Sequence, residues 1–305
     1  MNRGAVVTIG TFDGVHAGHA VILEEVRRQS DRHGLPSIAY AFRHPPRWAQ
    51  RGHGERYLLL PVSVKMGLLQ QSVDRVVIAS FDEVQGMSPA SFVRLALKER
   101  LQARIVVEGE SFRFGRDRSG DVAALRSIGR DLDLDVVSVP PVSVEDQPVS
   151  STRIRDALER ADLSTARACL GRPPLLVGTV MHGDGVGTSL GFPTANLRLD
   201  PHVLLPPDGI YAVHAFGAEF RTGGLLYLGR RPTFNDSGHR CELFLLDVAD
   251  CDLYGRSIEV HLLERIRDDR AFSSLQALRA QIASDVQSAH SLLARHSPIG
   301  ERFSS

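Results

Sequence analysis

The feature that most constrains this chain is a change of pattern at Arg172-Pro173-Pro174. Upstream, short apolar runs at 6–9, 36–42, 75–79, 105–107 and 136–139 alternate with stretches of helical periodicity. Strands that alternate with helices form a parallel sheet covered on both faces. Downstream, the apolar runs at 176–181, 210–216, 224–228, 241–246 and 257–263 follow one another with Gly- and Pro-rich turns between them. That succession predicts a small antiparallel barrel. A last helix, expected to start at Ser273 with Gln276 completing its cap, carries Leu275, Leu278, Ile282, Val286, Ala289 and Leu293 along one stripe. The expected fold is α/β: a doubly wound parallel-sheet domain over 1–172, then a small antiparallel β-barrel domain with a C-terminal helix over 173–305. A chain of 305 residues is comfortable as two domains.

Composition removes several classes of function. The formal net charge is zero, so no basic field favours nucleic acid or an anionic membrane. Cys169, Cys241 and Cys251 are odd in number and widely spaced, which points to a reducing compartment without structural disulfides. No run approaches the roughly 18 apolar residues of a membrane span, and no leader precedes the first strand. A cytoplasmic protein is expected. Lys65, on a helix expected after Pro61, is read as exposed.

Ligands of parallel sheets gather at the carboxyl ends of the strands. After the first strand comes G-T-F-D-G-V-H-A-G-H, from Gly10 through Phe12 to His16 and His19, read as a tight turn opening a helix. Histidines three apart share a helix face. Unpaired N–H groups and the positive end of the macrodipole there attract phosphate, and Gly18 leaves room for a bulky anion. Imidazoles at that place donate to phosphoryl oxygens whose charge grows during transfer. Two metal ligands, or ordinary surface histidines, are the competing readings. The segment 109–115, with Ser111 and Phe112, follows the fourth strand. At 149–155, Ser150, Ser151 and Thr152 supply cap oxygens and Arg155 projects from the opening turn.

In the second half, 191–196 reads as a turn, Gly191-Phe192-Pro193-Thr194-Ala195-Asn196, leaving the Thr194 and Asn196 oxygens without ladder duties. Hard oxygens suit Mg²⁺ bridging nucleotide phosphates, and an ordinary polar turn is the alternative. Glu242 alternates onto a face with Phe244, either in solvent or lining a cavity as a general base.

In order, TFDGVHAGH at 11–19, FRFG at 112–115, SSTRIR at 150–155, LGRP at 170–173, LGFPTAN at 190–196, DGIYAV at 208–213, RPTF at 231–234, LYG at 253–255 and IR at 266–267 resemble one family across nearly the whole chain. It is the bacterial bifunctional riboflavin kinase/FMN adenylyltransferases, or FAD synthetases. The resemblance implies an N-terminal adenylyltransferase joining FMN to the AMP moiety of ATP with release of pyrophosphate, and a C-terminal kinase making FMN from riboflavin and ATP. It implies that Gly10, Phe12, His16, His19, Ser150, Ser151, Thr152 and Arg155 hold the first ATP, with Ser111 and Phe112 on the flavin side. Gly191, Pro193, Thr194 and Asn196 would hold Mg²⁺ and ATP in the kinase, Thr194 and Asn196 binding the metal and Glu242 acting as base. The implied partners are the small molecules riboflavin, FMN and ATP.

Three positions depart from the family pattern. Ser111 stands where Asp or Asn is usual, 186–189 lacks a basic residue, and Tyr227 replaces a common Asn. The rivals are a chain in which one half alone is active, and a flavin-binding protein without turnover.

Overall fold

The structure, a computed structural model, describes residues 4–46, 48, 56–183, 187, 190–230, 239–248 and 252–296. The RPTF motif, Cys251 and residues 186, 188 and 189 lie outside the described residues. The chain divides into two compact units, Met1–Thr152 and Arg153–Ser305.

In the first unit, β1 (Ala5–Gly10), β2 (Ser37–Phe42), β3 (Arg75–Ala79), β4 (Ala103–Gly109) and β5 (Asp135–Val139) form a parallel sheet in the order β3-β2-β1-β4-β5. All five expected strands are present, and a short antiparallel pair, β6 (Ser143–Val144) and β7 (Gln147–Pro148), follows them. Alternate residues of β1 serve opposite faces. Val7 and Ile9 join Tyr40, Phe42, Phe92 and Leu97 on one side, while Val6 joins Ala39, Ala41, Leu23 and Val26 on the other. Burial on both faces explains why the central strands β1 and β2 are mostly apolar, with Thr8 and Ser37 as buried polar exceptions.

The order reverses direction between β1 and β4, and there the ladder ends early, at Val7↔Val106. Glu108 of β4 then takes over from the main chain. Its Oε1 accepts the Ile9 N–H at 2.6 Å and the Thr8 hydroxyl at 3.4 Å. Helix α1 (Ala17–His33) follows β1 and closes at Gly34, whose φ of 61° is left-handed. Helix α2 (Val62–Gln70) precedes β3. Ser88 caps the next helix by accepting the Ser91 N–H at 3.2 Å, and after Pro89–Ser91 that helix continues in π-helical form over Phe92–Arg100, a widening the sequence does not announce.

In the second unit, β8 (Leu175–Met181), β9 (Thr194–Leu199), β10 (Gly209–Phe216), β11 (Arg221–Arg230), β12 (His239–Leu245) and β13 (Ser257–Asp268) close a barrel in the order β10-β11-β12-β9-β8-β13. Every pairing is antiparallel. Leu226, Leu228, Cys241, Leu243, Val260 and Leu262 are buried in this unit. Outside it, the C-terminal helix Leu275–Leu293 lays Val286, Ala289 and Leu293 against Ala212, Leu225 and Phe244.

Four local expectations need correction. The stretch 191–196 is not one turn, because Thr194 already begins β9. A turn containing Gly191, at φ 87°, hands over directly to a strand. The final helix is capped by Ser274, whose hydroxyl accepts the Ala277 N–H at 3.1 Å, and not by Ser273 with Gln276. Leu275, its first residue, is 67% exposed and takes no part in the stripe. Lys65 is buried at 3% exposure, since its ammonium finds carbonyl partners within the sheet's rim.

Candidate active sites

The turn after β1 is held in a costly shape. Phe12 and Val15 have φ of 48° and 40°, beside Gly14 at 83°. A β-branched residue in this region is a genuine outlier, and such strain gathers at functional sites. A Cβ at Gly10 would lie a tight 3.2 Å from the buried Phe12 ring. Two donors from distant segments fix the turn's carbonyls. The Ser151 hydroxyl donates to the Asp13 carbonyl at 2.8 Å, and the Lys65 ammonium donates to the Thr11 carbonyl at 3.0 Å. Asp13 itself accepts the Leu59 N–H at 3.0 Å.

His16 is the N-cap residue of α1 and His19 sits in its first turn. Their rings stack at 3.6 Å between centroids. Gly18 serves this stack, since a Cβ there would lie 3.2 Å from the His16 ring. The space left at Gly18 is bordered by the His16 imidazole. Burial, then His16 and then Lys65, hold the His19 pKa well below its usual value. A neutral ring follows, and His19 Nδ1 accepts the His16 N–H at 3.3 Å. The proton then resides on Nε2, which makes that atom a donor.

The remaining residues of this set differ in placement. Ser150 and Ser151 are half-buried, Thr152 is exposed, and Arg155 is buried on the helix Ser151–Glu159. Arg155 falls beyond the Thr152/Arg153 division, so the first unit alone does not bring it to the histidines. Ser111 is exposed just past β4. Phe112 stacks on Phe114 at 5.5 Å and packs against the apolar core, so much of its surface is spent on folding.

Sequence reasoning missed two buried ionisable groups at this end of the sheet. Lys65 Nζ donates to the carbonyls of Thr11 at 3.0 Å, Phe42 at 2.6 Å and Arg43 at 3.1 Å, tying together the ends of β1 and β2. Burial pushes it down to about 8, against the pull of Asp13. Burial also raises the Glu108 carboxyl well above the usual range. The available signals were a lysine in an arginine-rich chain and a carboxylate inside an apolar strand.

In the second unit, β9 places Thr194 and Asn196 two apart, on one face. Asn196 is the direct cross-strand partner of Glu242, and Thr194 of Phe244. Glu242 is half-buried and pairs with Arg240 at 3.0 Å. Glycines let the preceding loop close on these side chains. A Cβ at Gly183 would overlap the Asn196 amide, and one at Gly187 would lie 2.9 Å from the Thr194 hydroxyl. Pro193 and Gly191 are exposed, and the Arg279 guanidinium lies 4.0 Å from where a Gly191 Cβ would be. Hydroxyl, amide and carboxylate oxygens cradled this way fit a hard divalent cation shared with phosphates. Among the described residues no cluster of three His, Cys, Asp or Glu side chains could hold a metal unaided.

Residues 1–153 match the FAD synthetase family and residues 170–293 the riboflavin kinase family. The class is thereby defined: a nucleotidyltransferase-type parallel sheet joined in one chain to a riboflavin-kinase barrel. The bifunctional riboflavin kinase/FMN adenylyltransferase of Escherichia coli K12 is 36% identical over 286 residues, 93% of this chain and 91% of the relative. Those of Haemophilus influenzae and Pseudomonas fluorescens are 34% and 35% identical, covering 94% and 96% of this chain and 94% of each relative. A crystal structure described as a macrolide-efflux protein from Streptococcus pneumoniae aligns with a TM-score of 0.82 at 27% identity, over 97% of this chain and 96% of that one. Among the described residues no helix is long and apolar enough to cross a membrane. The chain belongs to the bifunctional riboflavin kinase/FMN adenylyltransferase family.

Proposed function

We propose that the second half phosphorylates riboflavin and the first half adenylylates the product, so that one chain makes FMN and then FAD. The observation that carries this reading is that both matched halves bring their chemical groups together: His16 stacked on His19, and Glu242 paired across the ladder with Asn196. The functional boundary is assigned to 172/173, where the Pro173-Pro174 pair precedes β8.

In the kinase, the ribityl hydroxyl gives its proton to Glu242 as its oxygen attacks the γ-phosphorus of ATP, and ADP leaves. Thr194 and Asn196 would hold Mg²⁺, which supplies neutralising charge at the phosphates when bound. Gly191 and Pro193 shape the loop that meets the nucleotide. In the adenylyltransferase, a phosphate oxygen of FMN attacks the α-phosphorus of ATP and the bond to pyrophosphate breaks. His19 Nε2–H and the N-terminal amides of α1 stabilise the charge that develops on phosphoryl oxygens. Ser150, Ser151 and Thr152 complete the ATP site beside Gly10 and Phe12, with Ser111 and Phe112 on the flavin side. The buried thiols of Cys169 and Cys241 support a reducing, cytoplasmic setting.

The test is separation of products after incubation with riboflavin, ATP and Mg²⁺, beside a reaction started from FMN. FAD is expected in both, with transient FMN in the first. FMN without FAD would leave the first half inactive, and no product in either would favour a flavin-binding protein.

A further inference from the structure

Strand order separates two sides of the kinase site. Thr194 and Asn196 lie on β9, Glu242 on the adjacent β12, and the next strand is β11. The β11 residue directly opposite Glu242 is Tyr227. Tyr227, Glu242 and Asn196 therefore form one row across three strands. Their sequence neighbours Leu226, Leu228, Cys241, Leu243 and Leu197 are all buried, so the row lies on the other, outward face of the barrel wall.

Transfer of a phosphoryl group needs the attacking and leaving oxygens roughly in line. If Thr194 and Asn196 mark the nucleotide side, the acceptor must approach Glu242 from the other side, which is the side of Tyr227. The phenol is fixed there. It lies back over Gly229, where a Cβ would overlap its oxygen, and it donates to Asp269 Oδ2 at 3.1 Å. With its only proton committed to Asp269, the phenol oxygen keeps its lone pairs for a donor. Burial and then the Asp269 carboxylate push the Tyr227 pKa up to about 12, so the phenol stays protonated.

We infer that Tyr227, anchored by Asp269, is a substrate-binding residue of the kinase that accepts a hydrogen bond from the polyol chain of riboflavin and so selects for a hydroxylated chain at N10. This rests on the reading of Glu242 as the kinase base and assigns the acceptor side of that site.

The experiment compares riboflavin with a flavin bearing a 5-hydroxypentyl chain at N10, which retains the reacting hydroxyl and lacks the three inner ones. The enzymes are wild type, Tyr227→Phe and Asp269→Ala. Losing one neutral hydrogen bond corresponds to roughly 3- to 10-fold. Tyr227→Phe should raise KM for riboflavin by about that factor with kcat within about twofold, and leave the deoxygenated flavin unaffected. Asp269→Ala should reproduce part of the loss for riboflavin alone. Equal effects on both flavins, or on neither, would overturn the inference. Failure of the parent reading is separately visible: Glu242→Gln would then phosphorylate riboflavin at the wild-type rate.

Discussion

Replacing Lys65 by methionine keeps the length of the side chain and removes its charge and donors. The three carbonyls that lose a donor are those of Thr11, Phe42 and Arg43. The bond to the Phe42 carbonyl is buried and its loss costs about 2 kcal/mol, while the part-buried bonds to Thr11 and Arg43 are worth about 1 kcal/mol each, roughly 4 kcal/mol together. Relief from burying an ammonium opposes this. Burial moves Lys65 from 10.5 to about 8. That displacement, about 2.5 pH units at roughly 1.4 kcal/mol each, is worth about 3 kcal/mol. Lys65→Met should therefore lose about 1 kcal/mol at pH 7.

The pH dependence has a definite sign. Native Lys65 releases its proton near pH 8, and the unfolded chain keeps it until about 10.5. Between those values the unfolded state binds more protons, so the wild type gains stability as pH rises and the variant does not. The gap should widen to roughly 4 kcal/mol by pH 10.5. Urea unfolding read by fluorescence reports on the first unit alone, because the chain's one tryptophan, Trp48, lies there and stacks on His44 at 4.2 Å. A gap that is absent at pH 7, or that narrows between pH 8 and 10.5, would refute the reasoning. Formation of FAD from FMN should fall in the same variant, because the turn that carries His16 loses its Thr11 anchor.

His19→Ala should lower FAD formation from FMN by about 10²–10³-fold, the usual effect of losing a donor to a developing oxyanion, and leave FMN formation intact. Gly183→Ala pushes a methyl into the Asn196 amide. It should raise KM for ATP in riboflavin phosphorylation about 10-fold, consistent with overpacking of about 1–3 kcal/mol, with FMN adenylylation as the unaffected control. Arg267 holds the buried Asp285 through Nε at 3.0 Å and Nη2 at 2.8 Å. Arg267→Met leaves that carboxylate uncompensated, which should cost about 3–5 kcal/mol. Circular dichroism should show an earlier melting step while the Trp48 transition stays in place.

Much of the architecture was legible because burial writes itself into sequence. Strands covered on both faces, such as β2, are apolar at nearly every position, and barrel strands such as β12 alternate. The strand β9 escaped because Asn196 and Thr194 face outward next to a Gly-Phe-Pro turn, so polarity there was read as loop. Its alternation, Ala195 and Leu197 against Thr194 and Asn196, was present but short. The histidine pair could be placed on its helix start, but not its stacking, because Gly18 admits either an anion or a ring. Lys65 and Glu108 were hidden for a common reason: the partners that make their burial tolerable are main-chain atoms of other strands. No residue type in the sequence marks a carbonyl or an amide as free to receive them. Tyr227 stood out only as a departure, and its task depends on Asp269, which lies 42 positions away in the chain.

The most direct test of the division of labour is to mix two single variants. Glu242→Gln should form FMN roughly 10²–10⁴-fold more slowly than the wild type while still converting supplied FMN to FAD. His19→Ala should stop at FMN. Supplied with riboflavin, ATP and Mg²⁺, each variant alone should yield little FAD, and the mixture should restore it through released FMN. FAD from either variant alone at the wild-type rate, or a mixture that makes none although FMN accumulates, would contradict the account.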